Sequence, residues 1–205
     1  CARPPLPDFT IGPYTSALEI FNDSLDNAMS GYNTSETYGH SSSQGYTLQS
    51  TAILLNLSLD YEIPGGDARR IELFNGALTE IEELMQAAYL VEYGGPAFGL
   101  DYAWDAFGDG SENPAFTAYT WQSGMVALGI ASILKYAQAN YVLHQDRAAD
   151  FEAAEIFLWE MLDYWEPYYT NLDAEMGLGG FYWYSNRPTD AQAVHNTSLL
   201  MAMAS

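Results

Sequence analysis

Tyr46-Thr47-Leu48-Gln49-Ser50 and Tyr119-Thr120-Trp121-Gln122-Ser123 differ at one position, and a degenerate third copy reads Ala193-Val194-His195-Asn196-Thr197. The copies fall at nearly equal intervals of about 73 residues. Each opens an apolar stretch with helical spacing: Thr51-Ala52-Ile53-Leu54-Leu55, Gly124-Met125-Val126-Ala127-Leu128 and Ser198-Leu199-Leu200-Met201-Ala202. A helix start that recurs at a fixed interval marks one supersecondary unit built repeatedly, and positions where the copies differ are where function can reside.

The segments between the copies complete the unit. From Pro13 to Ser30, apolar residues at Leu18, Phe21, Leu25 and Met29 have the spacing of a one-sided helix, with Pro13 suited to its first turn. Gly31 to Gly45 reads as a loop carrying His40, and the first repeated helix then runs to about Tyr61, apolar on most sides as a doubly covered helix must be. Pro64-Gly65-Gly66 ends it. Asp67 is the expected N-cap of a second outer helix reaching about Leu90, with Glu80, Glu82 and Glu83 on its wet face. The second inner helix is expected from about Thr117 to Asn140. A third outer helix follows from Arg147 to Tyr164, with Phe151, Ala154, Phe157, Leu158, Met161 and Leu162 on one face and Pro167 ending it. Long Gly/aromatic loops, Gly94 to Pro114 and Gly179 to Pro188, precede the second and third inner helices; loops of that length in compact proteins are commonly functional. The only strand-like run is Phe181 to Tyr184. The predicted class is therefore all-α: residues 1–12 form an extended N-terminal tether, and residues 13–205 form three hairpins, each in the order outer helix, loop, inner helix.

Charge narrows the partners. Acidic residues number 27 against 6 basic ones, a formal charge of −21, so the field of the molecule repels nucleic acid and anionic membranes. Such an excess suits solubility in a salty or extracellular medium, or the binding of cations. Cys1 is the only cysteine, which excludes an internal disulfide framework and a cysteine-rich zinc site. No apolar run is long enough to span a membrane. Cys1 followed by Arg3-Pro4-Pro5-Leu6-Pro7 resembles the start of a mature bacterial lipoprotein, which implies a lipid anchor and an extracytoplasmic location; an arbitrary fragment start is the other reading. The apolar run from Leu199 to Ser205 carries no helix stop signal, so the fold is expected to be incomplete at its C-terminus and completed by further sequence or another chain.

Amphipathic outer helices alternating with nearly all-apolar inner helices, joined by long Gly/aromatic loops, resemble the (α/α) toroids of six-hairpin glycosidases and related polysaccharide lyases. Three hairpins would make about half of such a barrel. The resemblance implies that inner-helix starts and the loops before them line a cleft, that the substrate is a polysaccharide, and that no cofactor is needed.

The repeat itself has two readings. Gln49, Ser50, Gln122 and Ser123 can satisfy free backbone N–H groups at a helix start, with the preceding Tyr as a staple, or they can line the cleft. In the third copy His195 replaces Leu48 and Trp121, and Asn196 follows it. An imidazole that titrates near neutrality is a candidate general base or acid, or else it satisfies a neighbouring loop. β-Elimination on a uronate polymer needs a group that neutralises the carboxylate, a base for the C5 proton and an acid for the leaving oxygen. Asn196 or Arg187, His195, and Tyr184 or Tyr182 match those roles, and the resemblance to toroidal alginate and glucuronan lyases implies such a set. Trp104, Tyr102, Trp121, Gln122, Trp183 and Tyr182 are the expected substrate contacts. Glycoside hydrolysis is the alternative. It needs two carboxyl groups about 5 to 9.5 Å apart, and Asp101, Asp105, Asp109 and Glu112 are available. The run Asp105 to Glu112 could hold calcium but does not match an EF-hand loop, and a solvated acidic turn is the simpler reading, so no metal site is assigned. A non-catalytic surface protein that binds glycan through its aromatic loops, or assembles with itself, is the third reading. His40 has no partner at ligand spacing. His144 lies at a helix exit, where a protonated imidazole would favour the dipole. Tyr164, Trp165, Tyr168 and Tyr169 read as packing between hairpins.

Overall fold

The computed structural model describes residues 3–5, 16, 19–20, 22–24, 41–63, 65–88, 95–105, 108–110, 112–173 and 178–181. Within them the chain is predominantly helical, as the periodicity predicts. Four long helices are α1 (Ser41–Asp60), α2 (Gly66–Ala87), α3 (Thr120–Ala139) and α4 (Ala148–Trp165). Two 3-10 turns, Tyr141–Leu143 and Gln145–Arg147, join α3 to α4, and a third, Glu166–Tyr168, follows α4. It leads into a two-stranded antiparallel hairpin of β1 (Tyr169–Asp173) and β2 (Leu178–Phe181), with a register irregularity between Asn171 and Asp173. Of the strand expected at Phe181 to Tyr184, Phe181 lies in β2, and residues 182–184 lie outside the described residues.

Contacts at the helix ends fix the relative directions. Arg70 near the start of α2 reaches Ser58 near the end of α1, and Gln44 near the start of α1 lies beside Glu80. Phe74 of α2 meets Tyr136 late in α3, with ring centroids 6.0 Å apart. So α2 runs antiparallel to both α1 and α3, and α1 and α3 are parallel. These two helices, which carry the repeated pentapeptide, make the most extensive helix contact of the chain.

Two glycines make that contact close. A Cβ on Gly45 would lie 2.5 Å from the backbone carbon and oxygen of Met125, and one on Gly129 would lie 2.7 Å from the Gly45 carbonyl oxygen. Around this crossing, Leu48, Leu55, Val126, Ile130 and Ile133 are fully buried. The core continues through Leu73, Phe74, Leu78 and Ile81 of α2 and Phe157, Met161 and Trp165 of α4. The face expected for α4 is the one buried, with Trp165 added and Phe151 only partly covered.

Four expectations need correction. α1 starts at Ser41, five residues before its pentapeptide, so in the first copy the repeat lies inside the helix. α2 takes Gly65, in the left-handed region at φ 85°, as its N-cap; Asp67 sits in the first turn and pairs with Arg70 instead. α1 is not covered all round: Tyr46, Ile53 and Leu57 form an exposed stripe. Glu80 is 1% exposed, because it falls one turn from Ala77 and Leu84 on the apolar stripe of α2, whereas Glu82 and Glu83 do face water.

Buried ionisable groups brace the end opposite the helix starts. The Arg70 guanidinium, 1% exposed, donates from Nε to the Ser58 carbonyl and to its hydroxyl, both at 2.9 Å. A cation there meets the negative end of the α1 dipole and satisfies a last-turn carbonyl. Residues 3–5, expected as part of an extended tether, are docked on the same end: Arg3 Nε donates to the Leu59 carbonyl at 2.8 Å, and Glu62 N–H donates to the Pro4 carbonyl at 2.9 Å. His144 is buried, stacked 4.0 Å from the Phe74 ring centroid, and shares a 3.1 Å hydrogen bond from Nε2 with the Tyr136 hydroxyl. Burial pushes the His144 imidazole below its ordinary range and the Tyr136 phenol up to about 12. Burial thus favours a neutral imidazole hydrogen-bonded to the phenol, correcting the expectation of a protonated one.

Two outcomes follow from this packing. Gly45→Ala is expected to lower stability by about 1–3 kcal/mol in urea unfolding, since the helix it would favour intrinsically must move off the Met125 backbone. For His144, the unfolded imidazole takes a proton near its ordinary value of 6.5 while the folded one resists it. This contribution is complete above that pH and is lost as pH falls through the lower folded value. His144→Gln, which can still hydrogen-bond Tyr136, should flatten the acid limb of urea midpoints between pH 7 and 5; parallel curves would place that limb elsewhere.

Candidate functional site

The starts of α1 and α3, the end of α2 and the end of α4 lie at one pole of the helices, together with the loop 95–119. This rim is where the expected cleft residues among the described ones collect. The loop is built, not slack. Ala97 N–H donates to the Ala88 carbonyl at 3.1 Å, and Tyr119 N–H donates to the Phe98 carbonyl at 2.9 Å, within the Gly99–Ala118 bridge. Gly99 has no substitute there, as a Cβ would sit 1.7 Å from the Thr117 carbonyl oxygen. Further along, Trp104 and Asn113 exchange both backbone hydrogen bonds, at 3.0 and 2.9 Å. Phe116 holds φ 63°, a left-handed conformation that costs a bulky residue on the order of 1 kcal/mol and is kept by its 2.7 Å bond to the Leu100 carbonyl.

The repeat residues tie the loop to the helices. Ser123 Oγ accepts from Phe98 N–H at 3.0 Å and donates to the Phe98 carbonyl at 3.3 Å. Gln49 Nε2 donates to the Gly45 carbonyl at 3.3 Å and across to the Met125 carbonyl at 3.5 Å. Neither caps a helix start, and Tyr119, the N-cap of α3, makes no side-chain cap. The capping expected of Gln49 and Ser123 is therefore not their role: these side chains join helix to helix and helix to loop. Ser50 is exposed.

An aromatic platform results. Tyr119, 1% exposed, packs with Leu100, Trp104 and Trp121, and the Trp104 and Tyr119 rings meet edge to face at 5.6 Å. Trp104 and Trp121 are half-buried, so two expected substrate contacts are brought together on Tyr119, and Tyr102, two residues before Trp104, is exposed. Gln122 departs from that expectation: at 1% exposure it supports the rim from beneath and does not line it. Tyr119, which the sequence reading passed over as a staple, is the buried ring on which the platform rests. Its recurrence at the first position of the repeat was the available signal.

The acidic part of the loop is a closed turn. Asp105 accepts from Gly108 and Asp109 N–H through Oδ1, at 2.7 and 3.3 Å, and from Gly110 N–H through Oδ2, at 2.8 Å. Both carboxylate oxygens are engaged by backbone. Among the described residues no group of three or more His, Cys, Asp or Glu side chains is placed to hold a metal ion. Asp101, Asp109 and Glu112 are exposed. The remaining candidates, His195, Tyr184, Asn196, Arg187, Trp183 and Tyr182, lie outside the described residues, as does His40. Tyr164 and Trp165 do pack, edge to face at 5.4 Å, and the Tyr164 ring covers Gly95.

No protein-family model matches the chain, and no curated protein or solved structure is significantly similar to it. Among the described residues no helix is long and apolar enough to cross a membrane.

Removing the Ser123 hydroxyl strands the buried Phe98 N–H. Ser123→Ala should therefore cost about 1–3 kcal/mol. In hydrogen exchange, the loss of protection is expected to centre on Phe98 and Tyr119; uniform loss across all helices would contradict the tie.

Proposed function

We propose that this is an extracytoplasmic carbohydrate-active protein that binds and cleaves a polysaccharide at the rim formed by its helix starts. The observation that carries the reading is the pair of half-buried indoles, Trp104 and Trp121, packed on the buried Tyr119 ring, with Tyr102 exposed two residues before Trp104. Flat rings held at fixed angles stack on the apolar faces of sugars, and a loop pinned by paired backbone bonds loses little entropy when a chain docks on it. The parallel, closely packed α1 and α3 are then neighbouring inner helices of an (α/α) toroid, with α2 and α4 as outer ones.

For the chemistry we favour β-elimination on a uronate polymer, with His195 as base, Tyr184 as acid, and Asn196 with Arg187 on the sugar carboxylate. The hydrolytic alternative is weakened at Asp105, whose oxygens are taken by three N–H groups and would have to leave them to serve as acid or base. A non-catalytic glycan-binding role rests on the same platform and differs only in lacking turnover.

The electrostatics give a test with a sign. A chain of net charge −21 approaches a polyanion against its own field, so attack on polyuronate should quicken as salt rises from 10 to 150 mM. Action on a neutral glycan should be nearly indifferent to salt. His195→Ala and Tyr184→Phe are expected to lower the appearance of unsaturated ends, read by absorbance, at least 100-fold, and Trp104→Ala should weaken glycan retention in affinity electrophoresis. If these variants leave elimination unchanged on every uronate polymer, the lyase reading fails; if Trp104→Ala and Tyr102→Ala leave retention unchanged, the carbohydrate reading fails with it.

A further inference from the structure

Gln44 on α1 and Glu80 on α2 adjoin each other just beneath the rim, at 2% and 1% exposure. Neither heteroatom of the Gln44 amide and neither carboxyl oxygen of Glu80 makes a well-formed hydrogen bond, although the two side chains are near enough to act on each other. Four such polar atoms on two neighbouring buried side chains form a site built for something that water-facing chemistry does not supply. An ionised carboxylate there would carry a heavy desolvation penalty.

No cation answers it among the described residues. The charged group acting on Glu80 is Glu83 of its own helix, which opposes ionisation further; from α1 the neighbour is the neutral Gln44, whose amide eases ionisation. The cation that α4 brings to α2 is Arg147, and it is engaged by Asn75, Glu82 and Asp150. The lysine of α3, Lys135, is exposed toward the opposite pole.

We propose that Glu80 is a proton-binding site whose neutral acid, paired with the Gln44 amide, latches the start of α1 to α2, and that releasing the proton to solvent loosens this end of α1. The acid O–H donates to the Gln44 carbonyl oxygen after a small closing movement, and one neutral hydrogen bond then satisfies a donor and an acceptor. Once the proton leaves, the buried negative charge beside Glu83 has only the Gln44 N–H to meet it. Because Gln44 precedes Gly45 and the rim residues of α1, the latch acts on the element that carries the first copy of the repeat.

The energetic direction agrees. Burial first, then Glu83, pushes the Glu80 carboxyl from its ordinary value of 4.5 up to about 7. A folded value raised above the unfolded one stabilises fully below pH 4.5, and that contribution is lost as pH rises through about 7. The latch is thus closed in mildly acidic medium and open in mildly alkaline medium. It stands apart from the carbohydrate reading.

The test is direct titration of the Glu80 side-chain carboxyl carbon by NMR in the whole chain, with hydrogen exchange of the first turns of α1. A midpoint near 7, with protection at Gln44 to Leu48 falling roughly tenfold or more between pH 5.5 and 8 after correction for intrinsic rates, is expected. Glu80→Gln should abolish that pH dependence, and Gln44→Leu should move the midpoint upward by removing the group that eases ionisation. A midpoint near 4.5, or the same loss of protection in Glu80→Gln as in the parent chain, overturns the proposal. The wild-type titration decides even if a variant does not fold.

Discussion

The close approach of two backbones at Gly45 and Gly129 is the constraint on which the other contacts depend. With no Cβ between them, α1 and α3 come near enough for Gln49 to reach the Met125 carbonyl across the gap. That distance sets the level of the two helix starts relative to each other, and hence where Tyr119 and Ser123 stand. α2 then packs antiparallel against both, and its own end fixes the height at which Ala88 receives the returning loop through Ala97. A wider crossing would shift Ser123 away from Phe98 and release the loop from the helix. The aromatic platform is thus a downstream consequence of two missing side chains.

The loop is long but has few free stretches. From Ala97 to Tyr119 it is fastened at Ala88, Phe98, Leu100 and Trp104, and its acidic tip folds around the Asp105 carboxylate. Each fastening places a ring: the Trp104 and Asn113 bond pair holds the indole against Tyr119, and Phe116 turns through a left-handed conformation so that its own ring reaches the core. The same residues that make the segment look irregular, its glycines and acids, are those that let it turn sharply enough to close on itself. Gly108 and Gly110 adopt positive φ where the turn wraps Asp105, and the adjacent carboxylate replaces the hydrogen bonds a regular element would have supplied.

Helices were readable from the chain because burial follows a period, and the two copies of the pentapeptide that are described do stand on the two parallel helices. Boundaries and duties were less so. Gln and Ser at a presumed helix start suggested capping by propensity, but α1 begins earlier, and partners distant in sequence decide what those side chains bond. Glu80 was assigned to water from its neighbours Glu82 and Glu83, although its angular position with Leu73, Ala77 and Leu84 pointed inward; composition outweighed geometry in that reading. His144 was judged by its helix end alone, whereas Phe74 and Tyr136, from two different helices, determine its state. The exposed Tyr46–Ile53–Leu57 stripe shows the same limit: apolar character gives a helix a face to cover without saying what covers it. Candidate site residues in the loop could be found because aromatic side chains concentrate there, while the Tyr119 support beneath them became visible only through packing.

The two buried ionisable groups of α2 divide its hairpin with α1 into unlike ends. At one end Arg70 is fully engaged, with its charge held by Asp67 and its donors on Ser58. The Asp67 carboxylate is mostly exposed, so the main hold on the buried guanidinium is its bonding to Ser58 at the end of α1. At the rim end Gln44 and Glu80 meet with their hydrogen-bonding capacity unspent. The hairpin is thus fastened by a permanent cation at one pole and carries a titratable acid at the other, which is the pole that bears the aromatic platform. The strong polar anchor thus lies away from the rim and the weak one beneath it, next to the Gly45–Gly129 crossing, while the Arg70 brace at the far pole is independent of Glu80.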